Sequence, residues 1–135
     1  MLFSVASATV PAIAQTEIAY LLGFTERSGC QFYRNGSWYD SKKARQHLHD
    51  KYNLLARSNQ IDTAEDFIEK AASRSSLTGQ PYQMRCSDGI VIPTNQWLRN
   101  ELIRYRGHVA AATPRALRGA TWAAAPTLIF FNRPA

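Results

Sequence analysis

Cys30-Gln-Phe-Tyr-Arg-Asn-Gly-Ser-Trp-Tyr39 is the stretch that decides the fold class. Asn35 and Gly36 tolerate the positive φ that both central residues of a type I′ turn require, and aromatic side chains flank them on either side. The segment predicts a β-hairpin, with Phe32 and Trp38 or Tyr33 and Tyr39 as cross-strand partners. A second hairpin is predicted further on, from the strand Tyr82–Cys86, the turn Ser87-Asp88-Gly89 and the strand Ile90–Ile92. Pro93 is expected to stop it, because proline has no N–H to give to the ladder.

Outward from the hairpins the hydrophobic period changes from two to 3.6. Thr16–Glu26 places Ile18, Leu21, Leu22 and Thr25 at helical spacing, with Thr16 as N-cap and Ser28-Gly29 as the stop. Asp40 or Ser41 caps a helix running to about Arg57, whose stripe is Ala44, Leu48, Tyr52 and Leu55, with His47 and Lys51 beside it. The acids of Asp62–Asp66 open a third helix, where the dipole favours negative charge, and Phe67, Ile68, Ala71 and Ala72 form its buried face. Thr94 caps a last helix, Asn95–Tyr105, with Trp97, Leu98, Leu102 and Tyr105 inside. The order predicts an α+β fold: a small antiparallel sheet from two β-hairpins packed with about four helices.

Both chain ends differ in composition from this centre. Residues 1–14 carry no charge and end in Ala12-Ile13-Ala14, the small-x-small pattern that leader peptidase cuts after, although no Lys or Arg precedes the apolar run. They read as a signal-peptide-like leader, and the protein as periplasmic or secreted. Residues 107–135 are rich in Ala, Thr, Pro and Arg and are expected to be mostly disordered, with Trp122 or Phe130 able to stick to a groove. That leaves a single domain over residues 15–106. In an oxidising compartment Cys30 and Cys86 read as a structural bridge, the staple of the small fold, rather than as a nucleophile and a spare or as a zinc site.

Charge points away from nucleic acid. All ten acids lie between Glu17 and Glu101, and thirteen of the sixteen Lys and Arg accompany them within residues 17–106. The domain thus carries only half of the net +6, and its one basic cluster, Lys42, Lys43 and Arg45, is flanked by Asp40 and Asp50. A nucleic-acid module concentrates its base on one face or stripe. No apolar run is long enough for a membrane span.

No catalytic motif stands out: the chain has neither a GxSxG elbow nor a phosphate-binding P-loop. No cofactor or metal is implied, since His47 and His49 point to opposite sides of a helix. Asp40, Glu65, Asp66 and Glu69 are explained by helix capping rather than acid–base work. The polar loop Ser73–Pro81, with Ser75, Ser76 and Thr78 and followed by Tyr82, is the best site candidate, together with the hairpin aromatics Tyr33, Trp38 and Tyr39. These residues suit a binding or interaction domain for a protein or a cell-envelope glycan. A cell-envelope-acting enzyme using Ser73–Gly79 with His47 or an Asp is the alternative, and a basic nucleic-acid-binding domain a third.

The runs SGCQFYRNGSWYDSKKARQHLHDKY, TAEDFIEKAASRSSLTGQPYQMRC and QWLRNELIRYR resemble the YfeK-like family, small exported bacterial proteins carrying a domain of unknown function. The resemblance spans about Glu17 to Arg106. It implies a leader peptide and a paired cysteine at Cys30 and Cys86, and it implies no established activity and no catalytic residues.

Overall fold

A computed structural model describes residues 9–112, and within it the first compact unit ends at Leu102, residues from Ile103 belonging to a separate one. The elements are α1 (Ala12–Arg27), β1 (Gln31–Arg34), β2 (Ser37–Tyr39), α2 (Ser41–Arg57), α3 (Ala64–Ala71), β3 (Gln83–Arg85), β4 (Val91–Pro93) and α4 (Thr94–Ala112). The fold is α+β, and the strands form one antiparallel sheet in the order β2-β1-β3-β4.

The first hairpin turns at Asn35 and Gly36, whose φ values of 49° and 89° are those of a type I′ turn. Its register differs from the expected partners. A two-residue loop puts Arg34 opposite Ser37, so Tyr33 pairs with Trp38 and Phe32 with Tyr39. The second hairpin pairs Met84 with Ile92 and Gln83 with Pro93, so Pro93 is the last residue of its strand rather than a residue beyond it. An edge strand tolerates this, because its outer N–H positions have no ladder partner.

Helix ends follow local chemistry. The Asp40 carboxylate accepts from the Lys43 N–H at 2.8 Å and starts α2. A capping box starts α3: the Asp66 N–H donates to Thr63 Oγ1 at 3.0 Å, and the Thr63 N–H donates to Asp66 Oδ2 at 3.2 Å. Helix α1 begins at Ala12, not after a Thr16 cap, with Pro11 at its N-cap. The physical reason is burial, since Val10 and Ala14 lie in the core. Helix α4 runs on to Ala112, so residues 107–112 are helical where disorder is expected. The rest of the expected tail, Trp122 and Phe130 included, lies outside the described residues, as do the first eight residues of the expected leader.

Two clusters make the core. The larger gathers Ile18, Leu21, Leu48, Phe67, Ile68, Leu98 and Leu102 from all four helices. The smaller, Cys30, Phe32, Ala44 and Met84, glues the sheet to α2. Trp97 packs on both, stacking on Phe24 at 4.6 Å and meeting Phe32 edge-on at 5.5 Å. Cys30 and Cys86 flank the paired residues Gln31 and Arg85 and are bonded, with Cα atoms 4.3 Å apart. The disulfide therefore clamps β1 to β3, the strand pair that joins the two hairpins.

Candidate functional site

Alternation along β1 and β2 sends their side chains to two faces. Phe32 goes to the core. Tyr33 and Trp38 go to the opposite face, with ring centroids 5.3 Å apart. Arg85 from β3 lies over the Trp38 ring at 3.9 Å and donates from Nε to Gln31 Oε1 at 2.9 Å. Both rings are half-buried, and they form the aromatic patch of the hairpin.

Tyr39 faces the other way and meets the His47 ring edge-on at 5.2 Å. It belongs to a cleft between the hairpin, α2 and the polar loop. The loop is a pinned turn rather than a slack connection. Its Ser75 N–H donates to the Gln80 carbonyl at 2.9 Å, and the buried Ser75 hydroxyl accepts from the N–H groups of Leu77 and Thr78. Leu77 stands at the tip, 90% exposed. Thr78 Oγ1 donates to Asn35 Oδ1 at 2.8 Å, so the loop docks on the hairpin turn. Lys51 of α2 holds its base, donating to the Arg74 carbonyl at 2.8 Å and to the Tyr82 hydroxyl at 3.1 Å.

The groove framed by these contacts has a volume of about 280 Å³ and is lined by Arg34, Asn35, His47, Asp50, Lys51, Leu54, Ser75, Ser76, Leu77 and Tyr82. A cavity of about 30 Å³, lined among others by Tyr39 and Thr94, shares Arg34, His47 and Tyr82 with it. The Thr94 hydroxyl is buried without a hydrogen-bond partner among the described residues.

Burial and positive charge set the ionisation of the cleft. Burial, then the Arg34 guanidinium, lowers the Lys51 pKa. Burial raises Tyr82, with Arg34 acting in the opposite sense. Burial, then Arg34 and Lys43, lowers the His47 pKa from its ordinary 6.5 against the opposing pull of Asp50, which favours the neutral imidazole. His47, Asp50, Ser75 and Ser76 share the groove, yet His47 hydrogen-bonds none of the other three. The arrangement presents cations, hydroxyls and apolar groups without a nucleophile held by a base. Among the described residues no three His, Cys, Asp or Glu side chains gather as metal ligands, and no helix is long and apolar enough to cross a membrane.

The residues singled out from sequence thus fall on two surfaces. Tyr33 and Trp38 share the sheet face opposite Phe32. Tyr39, Ser76, Thr78 and Tyr82 surround the cleft, and Ser75 shapes its loop from within. Sequence reasoning overlooked Arg34, Lys51, Leu54 and Leu77 as site residues. His47, Lys51 and Leu54 do follow one another at helical spacing, which puts them on one side of α2 and was a usable signal. Nothing local announces Arg34 as a wall of the same groove.

A stretch of the chain is similar to a curated bacterial protein. It is the "Uncharacterized protein YfeK" of Salmonella typhimurium, 44% identical over 64 residues, covering 47% of this chain. The chain spans about half the length of that relative, 52% of it. No solved structure matches. Residues 12–106, from the first residue of α1 through both hairpins and the groove, match the family of unknown function DUF5329, and the chain belongs to that family.

Proposed function

We propose that this protein is an exported, non-catalytic binding domain whose contact surface is the groove between α2, the first hairpin and the polar loop, with the Tyr33–Trp38 patch as a second anchor. The observation that carries this reading is the Thr78–Asn35 hydrogen bond, which joins hairpin turn and loop into one face bearing the exposed side chains of Leu54 and Leu77. Exposed apolar side chains beside half-buried cations suit recognition of a protein or a cell-envelope glycan. The disulfide supports export, because such bonds persist in oxidising compartments. A cut after Ala14 would remove Val10 and Ala14 from the core, which speaks against that cleavage site.

The test is affinity capture from envelope extract with the mature protein and with Leu77→Asp and Trp38→Ala. The reading expects a saturable partner that Leu77→Asp loses at unchanged thermal stability. Capture that ignores both substitutions would refute it. An envelope hydrolase is favoured over it only by the presence of His47, Asp50 and Ser76 in one groove. Hydrolysis abolished by Ser76→Ala would establish that reading instead.

A further inference from the structure

Arg34 and Lys51 line the same groove, and neither has a carboxylate partner among the described residues. The Arg34 guanidinium lies 5.7 Å from the centre of the Tyr39 ring and makes no hydrogen bond. Lys51 places two of its three donors on the Arg74 carbonyl and the Tyr82 hydroxyl, which leaves one free. Two partly buried like charges in one groove repel each other, and an anion between them relieves the cost. The side chains of Leu54 and Leu77, 57% and 90% exposed, also line the groove. A ligand that satisfies both features carries an anion and an apolar group close together.

We propose that the groove captures a chain-terminal carboxylate borne by an apolar residue, the carboxylate meeting Arg34 and Lys51 and the side chain meeting Leu54 and Leu77. This rests on the groove being the binding surface and specifies what it binds. On one terminal residue the carboxylate and the side chain leave the same Cα, so a single residue presents both features to a groove lined by both cations and both leucines. Among the described residues Asp50 is the only acid lining it, against the two cations Arg34 and Lys51, so the walls carry about one net positive charge. A single negative charge matches that better than the near-dianion of a phosphate monoester, and the guanidinium fork fits a carboxylate in two-point geometry. Asp50 is available to accept an N–H of the ligand's own backbone. Protein C-termini and the stem peptides of a cell-envelope glycan share this chemistry.

The experiment titrates the intact protein with N-acetyl-Ala-Ala-Leu as free acid and as C-terminal amide, following amide resonances by NMR. An N-acetyl peptide ending in D-Ala-D-Ala and inorganic phosphate form further arms. The acid is expected to shift Arg34, Lys51 and Leu77 and to bind at least tenfold more tightly than the amide. Lys51→Gln and Arg34→Gln should each remove most of that preference, while Arg34→Lys retains part of it. Binding of the L-terminated or the D-terminated acid supports the proposal, and whichever binds more tightly identifies the source. Equal binding of acid and amide, phosphate binding more tightly than either acid, or groove resonances unmoved at millimolar peptide would overturn it. Should Leu77→Asp still abolish envelope capture in that event, the groove stays a binding surface and only the carboxylate assignment falls. Should acid selectivity hold while capture fails, the exported-partner reading falls alone.

Discussion

Replacing Cys30 and Cys86 together by Ala is the perturbation whose effect the fold sets most tightly. The bonded residues are 56 apart in sequence and enclose β1, β2, α2, α3 and β3, leaving α1, β4 and α4 outside the loop. In the chain-entropy model, cross-linking a loop of that length removes about 14 cal/mol/K from the unfolded ensemble, or about 4 kcal/mol at 25 °C. Small domains have a net stability of about 5–15 kcal/mol, so the loss takes a large share of it. For a domain of roughly 100 residues each kcal/mol moves Tm by about 4–8 °C, which predicts a fall of about 15–30 °C. The folded side of the balance hardly changes, because β1 and β3 remain paired through Gln31–Arg85, Phe32–Met84 and Tyr33–Gln83. Urea and thermal unfolding of the double-Ala protein beside the oxidised parent measure the difference, and the parent under reductant provides an independent check. A double-Ala protein within about 1 kcal/mol of the parent would show that the bridge does not restrain the unfolded chain, and the reasoning would fail.

Three further outcomes follow from the structure. Phe67, fully buried where it meets Tyr52 edge-on at 5.9 Å, should cost about 3–5 kcal/mol on truncation to Ala, read from the urea midpoint. Thr63→Ala removes one half of the capping box of α3 and should cost about 1 kcal/mol, whereas Thr63→Ser should keep most of the stability. His47 has a folded pKa below the unfolded 6.5, so between these values the unfolded state binds more protons and stability falls as the solution is acidified through that window. Unfolding free energies at pH 7.5 and 5.5 should show a smaller difference for His47→Gln than for the parent, and NMR titration of the imidazole should give a midpoint below 6.5.

The elements were legible where short-range chemistry decides them. Asn35-Gly36 can hardly be anything but a primed turn, Asp40 caps α2, and Phe67, Ile68, Ala71 and Ala72 line the inside of α3 and its C-terminus. The pairing of Tyr33 with Trp38 was missed, although the length of the turn alone dictates it. The start of α1 was missed for a different reason: the apolar pattern of Val10 and Ala14 is shared by a leader and by a core helix, and only burial in the core tells them apart. For the site, the hairpin and loop were visible as separate polar and aromatic segments. Their meeting through Thr78 and Asn35, 43 residues apart, depends on the sheet order placing β1 next to β3. The cationic wall was hidden for the same reason, since Arg34 and Lys51 become neighbours only once α2 has folded back over the hairpin.

Site-specific photo-crosslinking in living bacteria tests the central claim most directly. A photoreactive amino acid is placed at Leu77, at Trp38 and, as a control outside the groove, at Glu69 of α3, which is exposed and pairs with Arg99 at 3.5 Å. The account predicts an exported, oxidised protein that forms a discrete adduct from Leu77, a weaker one from Trp38, and none from Glu69. A protein retained in the cytoplasm with free thiols, or identical products from Leu77 and Glu69, would contradict it.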